Sequence, residues 1–217
     1  MPSFLLKIKV FISRKVISNS FFWKIRHYIQ SSFIQVYSEK EMFFLDSTAD
    51  ELCINSILDF GCASGATVFK LKSNNPKRLV YGIDINKKAV EKCVERFNKN
   101  FSEGHKFTDS FDIYDIKEFF NNSDNLIDLV IFDRVLYCLD ERQIKNIIGS
   151  LAPITKYIFI DDFYSVDNDD FIGYAHRDWS KILGKYQFEE RVNRETVYQP
   201  VKYANARTLL YQNQVFK

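Results

Sequence analysis

Two carboxylates, two glycines and an alanine are spaced in this chain so as to hold a nucleoside. In Ile57-Leu58-Asp59-Phe60-Gly61-Cys62-Ala63-Ser64-Gly65-Ala66, an apolar run enters a turn too poor in side chains to be core and too rich in glycine to be helix. Gly61 and Gly65 open backbone conformations that a Cβ forbids, and they let the main chain come close to a ligand. Ala63 is the next smallest choice. From Ala66 to Leu71 the spacing is helical, so a ligand in the turn faces amides at a helix N-terminus. Asp84 follows the run Val80-Tyr81-Gly82-Ile83 and precedes Ile85 and Asn86, the latter a good helix cap. A carboxylate at that point accepts two hydrogen bonds from a ribose diol.

The spacing of the turn discriminates between ligands. A dinucleotide fingerprint wants glycine at its first, third and sixth places, and the chain offers Gly61, Ala63 and Ala66. Small residues at the first, third and fifth places, with an acid two residues before the first, are met by Asp59, Gly61, Ala63 and Gly65. That pattern resembles motif I of the class I S-adenosylmethionine-dependent methyltransferases. The resemblance implies that Asp59, Gly61, Ala63 and Gly65 surround the methionine end of the cofactor. It also implies that Asp84 holds the ribose, with Ile85 counted in the same cofactor site. An acid at the end of the third strand reaches the adenine amino group in that family; the role is carried onto Asp112, with Asp109 and Asp115 as register-shifted competitors.

The elements that must position these residues follow from periodicity. Ser38-Glu39-Lys40-Glu41 reads as a capping box, predicting a helix from Glu39 that carries Met42, Phe43 and Phe44 toward the core. The stretch 46–55 then approaches the first strand. Ala89, Val90, Cys93, Val94 and Phe97 predict a helix from about Lys87 to Phe101. Residues 128–133 read as the fourth strand. Asp140-Glu141-Arg142-Gln143 reads as a second capping box, followed by a helix that Pro153 stops. The unbroken run Tyr157–Ile160 reads as a fifth strand buried on both faces and ending in Asp161-Asp162. Trp179–Phe188 reads as the last helix and its turn, and 196–198 with 207–211 as a closing antiparallel pair of strands. The expected fold class is α/β, a Rossmann-like doubly wound, mostly parallel seven-stranded sheet with helices on both faces. An N-terminal helical extension, 1–50, precedes a methyltransferase domain, 51–217.

Composition bounds the rest. A chain of 217 residues suits one domain with a substantial core, and a net charge of only +2 does not suggest a nucleic-acid-binding surface. Cys53, Cys62, Cys93 and Cys138 show no metal-ligand spacing or disulfide framework and read as buried thiols of a reducing, cytoplasmic compartment. No cleavable signal and no bilayer-length run is read. Residues 1–38 carry Lys7, Lys9, Arg14, Lys15, Lys24 and Arg26 with no acid, among many aromatics. Two readings of this segment stand: helices packing on the domain and helping to close the cofactor site, or a basic face lying on the anionic inner surface of a membrane. The width of the apolar face favours the first.

Methyl transfer is an in-line displacement at an electrophilic carbon, so alignment and desolvation dominate, and a hydroxyl acceptor also needs a base. Asp133, at the end of the fourth strand, and His176, in the polar segment Tyr174–Asp178, are the candidate catalytic residues. Asp133 has a structural alternative in pairing with Arg134 or Arg177, and His176 in steadying the helix start at Asp178. The chain lacks the Asn/Asp-Pro-Pro-aromatic signature of amino-methylating family members, and Cys138 stands where small-molecule members often carry histidine. Asp133 with Asp161 and Asp162 is similar to the layout of magnesium-dependent catechol O-methyltransferases, but the motif I turn is not, and no metal is assigned. The resulting expectation is a methyltransferase acting on a small molecule, glycan or lipid precursor, more at oxygen than nitrogen. The rival is a noncatalytic nucleoside-binding module that docks through residues 1–38.

Overall fold

A computed structural model describes residues 39–120, 126–166, 170–171, 174–196 and 206–217. The basic segment 1–38, and with it the cap expected at Ser38, lies outside the described residues. In chain order the elements are α1 (Glu39–Glu51), β1 (Ser56–Phe60), α2 (Ala66–Asn74), β2 (Leu79–Ile83), α3 (Lys87–Asn100), β3 (His105–Thr108) and α4 (Ile113–Phe119). They continue as β4 (Ile127–Asp133), α5 (Glu141–Leu151), β5 (Thr155–Phe163), a two-residue pair β6 (Asp170–Phe171) and β7 (Tyr174–Ala175), α6 (Trp179–Gly184), β8 (Phe188–Glu195) and β9 (Ala206–Asn213).

Seven strands form one sheet in the order β3-β2-β1-β4-β5-β9-β8, parallel through β5 and antiparallel in the last two pairings. All five residues of β1 are buried, because helices cover both faces of a parallel sheet. The pleat divides them. Ile57 and Val80 join Leu129, Ile131 and Phe159 under α1, α2 and α3; Leu58, Phe60 and Tyr81 join Val130, Phe132 and Ile158 under α4, α5 and α6. The connections leave β1 toward β2 on one side and continue through β4 on the other. A topological switch point, with a crevice at the strand carboxyl ends, therefore falls between β1 and β4.

The helices start and stop where side chains dictate. Asn86 caps α3, accepting from the Lys88 and Ala89 amides at 3.1 and 3.4 Å. At α5 both bonds of the capping box are made, Asp140 with Gln143 in each direction. That helix gives way at Ala152 to a single 3-10 turn containing Pro153.

Several expected boundaries move. The stretch read as an approach to β1 is largely helix, α1 running to Glu51, with Leu45 and Ala49 in the core and Phe44 packed near Phe159. The penultimate strand runs over Phe188–Glu195; of the stretch expected at 196–198, Thr196 lies just past its end and 197–198 fall outside the described residues. The strand was hidden by its polarity: Glu189, Arg191, Asn193 and Glu195 are exposed on an edge strand with a bulge between Glu190 and Val192. Of the cysteines, Cys62 and Cys93 are buried, but Cys138 is half-buried and Cys53 exposed, and none forms a disulfide. No helix among the described residues is long and apolar enough to cross a membrane.

Candidate active site

The motif I turn hangs from the neighbouring strand. The amides of Gly61 and Cys62 both donate to the carbonyl of Ile83, the last residue of β2, at 2.7 and 2.9 Å. Gly61 and Gly65 have φ of +85° and +72°, and Ala63 is also left-handed at 47°. A Cβ on Gly65 would lie 2.2 Å from Cys93 Sγ, and one on Gly61 2.8 Å from a Val135 methyl. Both glycines are thus fixed by conformation and by space, and Val135, beyond β4, closes over the turn.

Asp84 ties this turn to the next. Its Oδ2 accepts from the Ala63 amide at 2.9 Å and its Oδ1 from the Asn86 amide at 2.8 Å, so one carboxylate holds the ends of β1 and β2 in register. Ile85 beside it is an exposed large apolar residue, 40% accessible, at the mouth of the same crevice. Asp59 sits in β1 between Gly82 and Ile131 and is 2% exposed. Its Oδ2 is buried with no hydrogen-bond partner among the described residues. Burial, reinforced by the nearby charges of Asp133 and then Asp84, pushes the Asp59 carboxyl well above the usual carboxylate range.

The three acids after β3 separate. The strand closes at Thr108, leaving Asp109 directly beyond it; Asp112 lies further on and caps α4, its Oδ1 accepting from the Tyr114 and Asp115 amides. Asp115 accepts from Tyr81 at 2.5 Å and from Lys106. Those two bonds hold its carboxyl below the usual range.

On the acceptor side, Asp133 ends β4, 8% exposed, with Arg134 Nε donating to its Oδ1 at 3.0 Å. Of the two guanidinium partners open to Asp133 in the sequence, the salt bridge is to Arg134. Arg134 itself is left-handed, φ 50°, and its amide donates to the Asp161 carbonyl. His176 is 4% exposed and stacks on Phe163 with centroids 5.2 Å apart; the start of α6 is capped by Asp178, not by His176. Asp161 and Asp162, adjacent in β5, project to opposite faces. Asp161 accepts from the hydroxyls of Thr196 and Thr208, whereas Asp162 accepts from the amides of Tyr137 and Phe163. Among the described residues no group of three or more His, Cys, Asp or Glu side chains is placed to hold a metal ion.

Sequence reasoning offers Arg177 only as a pairing partner of Asp133 and misses its bonds to the loop after β4. This buried side chain reaches from the segment after β5 to the loop after β4, and no local pattern marks it.

Comparison with known proteins agrees with this geometry. The chain is 28% identical over 102 residues to the tRNA N(3)-cytidine methyltransferase METTL2 of Xenopus tropicalis, covering 46% of this chain and 30% of that protein. It is 27% identical over 165 residues to the ribosomal RNA small subunit methyltransferase C of Buchnera aphidicola subsp. Schizaphis graminum, covering 72% of this chain and 44% of that protein. The chain thus spans less than half the length of either relative. Among solved structures, magnesium protoporphyrin IX methyltransferase from Synechocystis PCC 6803 shares the fold with a TM-score of 0.58 at 18% identity, covering 95% of this chain and 97% of that one. A family model described as a methyltransferase domain matches residues 55–207, well over half of the chain, and the protein belongs to this family of S-adenosylmethionine-dependent methyltransferases with a Rossmann-like fold.

Proposed function

We propose that this domain binds S-adenosylmethionine at the carboxyl ends of β1, β2 and β4 and transfers its methyl group to a small-molecule, glycan or lipid-precursor acceptor, at oxygen. The observation that carries the reading is Asp59, a buried carboxylate with a partnerless oxygen beside a left-handed turn. When bound, the cofactor supplies a methyl group on a positively charged sulfur. The chain's residues do the rest. Asp59 meets the ammonium of the methionine end, and Gly61, Ala63 and Gly65 bring main-chain atoms close without a side chain in between. Asp84, at the end of β2 and bonded to the Ala63 and Asn86 amides, lies beside the ribose diol, and Ile85 offers an apolar face to the base. The β3–α4 turn, with Asp109 and Asp112, borders the adenine edge.

Asp133, at the carboxyl end of β4 beside β1, is the proposed base. His176, stacked on Phe163, is the second candidate, for an acceptor that reaches the β5 end. The preference for oxygen rests on Asp133-Arg134-Val135-Leu136, where amino-methylating members carry two prolines. A second reading has support of its own, since the two curated relatives named above act on RNA.

Titration calorimetry with S-adenosylhomocysteine, set against NAD and against the Asp84→Ala variant, tests the cofactor. Micromolar binding that the variant loses is expected, and its absence in folded wild type overturns the reading. Methyl transfer is then followed into three acceptor pools: small hydroxylated metabolites, lipid-linked saccharides and total RNA. Label entering only RNA replaces the small-molecule acceptor with a nucleic acid.

A further inference from the structure

The loop after β4 is where the site's two halves meet. Val135 packs over Gly61 of the cofactor turn, Leu136 is buried in the core, and Leu136–Cys138 form a single 3-10 turn. A loop at this point sets the distance between acceptor and methyl carbon, yet little of its own backbone bonding fixes it. The internal bonds are Cys138 N to Val135 O and Leu139 N to Leu136 O, both 3.1 Å.

The constraint comes from elsewhere. Arg177 Nη1 donates to the Leu136 carbonyl at 3.0 Å and Nη2 to the Leu139 carbonyl at 2.6 Å. Asp162 Oδ2 accepts from the Tyr137 amide between them at 3.2 Å. Both side chains are buried, at 8% and 1% exposure. Arg177 is itself anchored: its carbonyl accepts from the Ser165 amide, its backbone bridges Tyr164, and its guanidinium lies 5.7 Å from the Trp179 ring centre. Trp179 in turn donates to the Phe163 carbonyl at 2.9 Å. A planar fork presents two donors in a fixed geometry to carbonyls three residues apart, whereas an ammonium offers a single, freely rotating point of donation.

We propose that Arg177, acting with Asp162, is the positioning residue of this site: it clamps the loop 135–139 against the cofactor turn and so sets the approach of the acceptor. The inference rests on the methyltransferase reading above. Charge-assisted bonds to backbone resist the lateral give that an apolar contact allows, and the clamp comes from β5 and the segment behind it, the part of the sheet that faces the acceptor. Tyr137 completes the arrangement, its ring edge-on to Phe163 at 5.3 Å.

The test compares wild type with Arg177→Met and Arg177→Lys, each shown folded by circular dichroism. Hydrogen exchange on the protein bound to S-adenosylhomocysteine should show the Cys138 and Leu139 amides losing about tenfold or more of their protection in Arg177→Met, while β1 amides are unchanged. With the acceptor found in the screen, kcat should fall about a hundredfold in Arg177→Met while the KM for the cofactor stays the same, as expected for misplacement by about 1 Å. Arg177→Lys, which keeps the charge and loses the fork, should recover only part of kcat. In Arg177→Ala, added guanidinium ion should restore turnover. Unchanged loop protection in Arg177→Met overturns the clamp, as does an unchanged kcat. Wild type that binds no S-adenosylhomocysteine overturns the methyltransferase reading instead, and exchange on the ligand-free protein still reads the clamp.

Discussion

Asp59 offers the sharpest quantitative test of the cofactor site. In the ligand-free protein it is 2% exposed, has a partnerless oxygen, and faces Asp133 and Asp84, so its carboxyl is pushed well above the usual range. Cys62 in the turn is buried too; its hydrogen bond to Cys93, burial and the Asp59 charge all push the thiol upward, so it supplies no charge. Arg134 pairs with Asp133. A ligand bearing an ammonium at this point selects the ionised carboxylate. Below the raised pKa, each pH unit adds about 1.4 kcal/mol to the work of ionising Asp59, so affinity should weaken about tenfold per unit as pH falls. The trend ends above, where the ligand's own ammonium loses its proton.

Calorimetry with S-adenosylhomocysteine in buffers of different ionisation enthalpy counts the protons released, and the expected value approaches one per site below the Asp59 pKa. Asp59→Asn should bind more weakly and release none, and adenosine, which lacks the ammonium, should bind wild type without proton release. The folding linkage has the opposite sign. A carboxyl whose folded pKa is raised binds more protons folded than unfolded, so ligand-free stability should fall as pH rises from the ordinary carboxylate range toward the raised pKa, and Asp59→Asn should flatten that slope. Proton release that persists in Asp59→Asn, or that adenosine elicits equally, refutes the argument.

Three further outcomes follow from the same geometry. Gly65→Ala places a Cβ 2.2 Å from Cys93 Sγ at a φ of +72°, so it should abolish cofactor binding while Gly184→Ala, with open space around its Cβ, is tolerated; a thermal-shift assay with and without S-adenosylhomocysteine separates them. Arg78 is 1% exposed and donates to the carbonyls of Ile54 and Leu71 and to Asp50. Arg78→Met should therefore cost about 2–4 kcal/mol, measured by denaturant titration, because it leaves two buried carbonyls unpaired. Asp162→Asn should release the Tyr137 amide and lower turnover; wild-type turnover should also weaken as pH falls through about 7, where burial has placed the Asp162 carboxyl, and the variant should lose that dependence.

What the sequence made legible was whatever local chemistry forces on neighbouring residues. The turn at Gly61–Gly65 needs left-handed backbone, Asp84 must follow a strand, and Asp140 with Gln143 caps a helix by spacing alone. Strand β8 escaped because solvent on one face and an edge position leave a run of charges with no hydrophobic signature. Sequence adjacency of Asp161 and Asp162 hides the pleat, which sends one carboxylate to the threonines of the last strands and the other to the loop after β4. The sequence offers Arg177 only as a partner of Asp133; its hold on the carbonyls of Leu136 and Leu139 is not legible, because carbonyls carry no residue identity.

These residues also divide the sheet end from end. At the strand amino ends, Arg78 and Lys72 are buried cations wholly engaged with protein: Lys72 Nζ donates to the carbonyls of Pro76, Arg78 and Gly104 at 3.0, 2.5 and 3.2 Å. At the carboxyl ends stand buried acids and a partnerless oxygen on Asp59. The first end satisfies its buried charges and the second leaves a buried polar atom unmet. The two ends should accordingly respond in opposite ways. Arg78→Met should lower the unfolding temperature and leave the S-adenosylhomocysteine affinity of the folded fraction unchanged. Asp59→Asn should raise that temperature at pH 8 and weaken the affinity, because the charge it removes is favourable only when a cation is bound. If both substitutions lower stability and affinity together, the acids at the carboxyl ends are structural and the division fails.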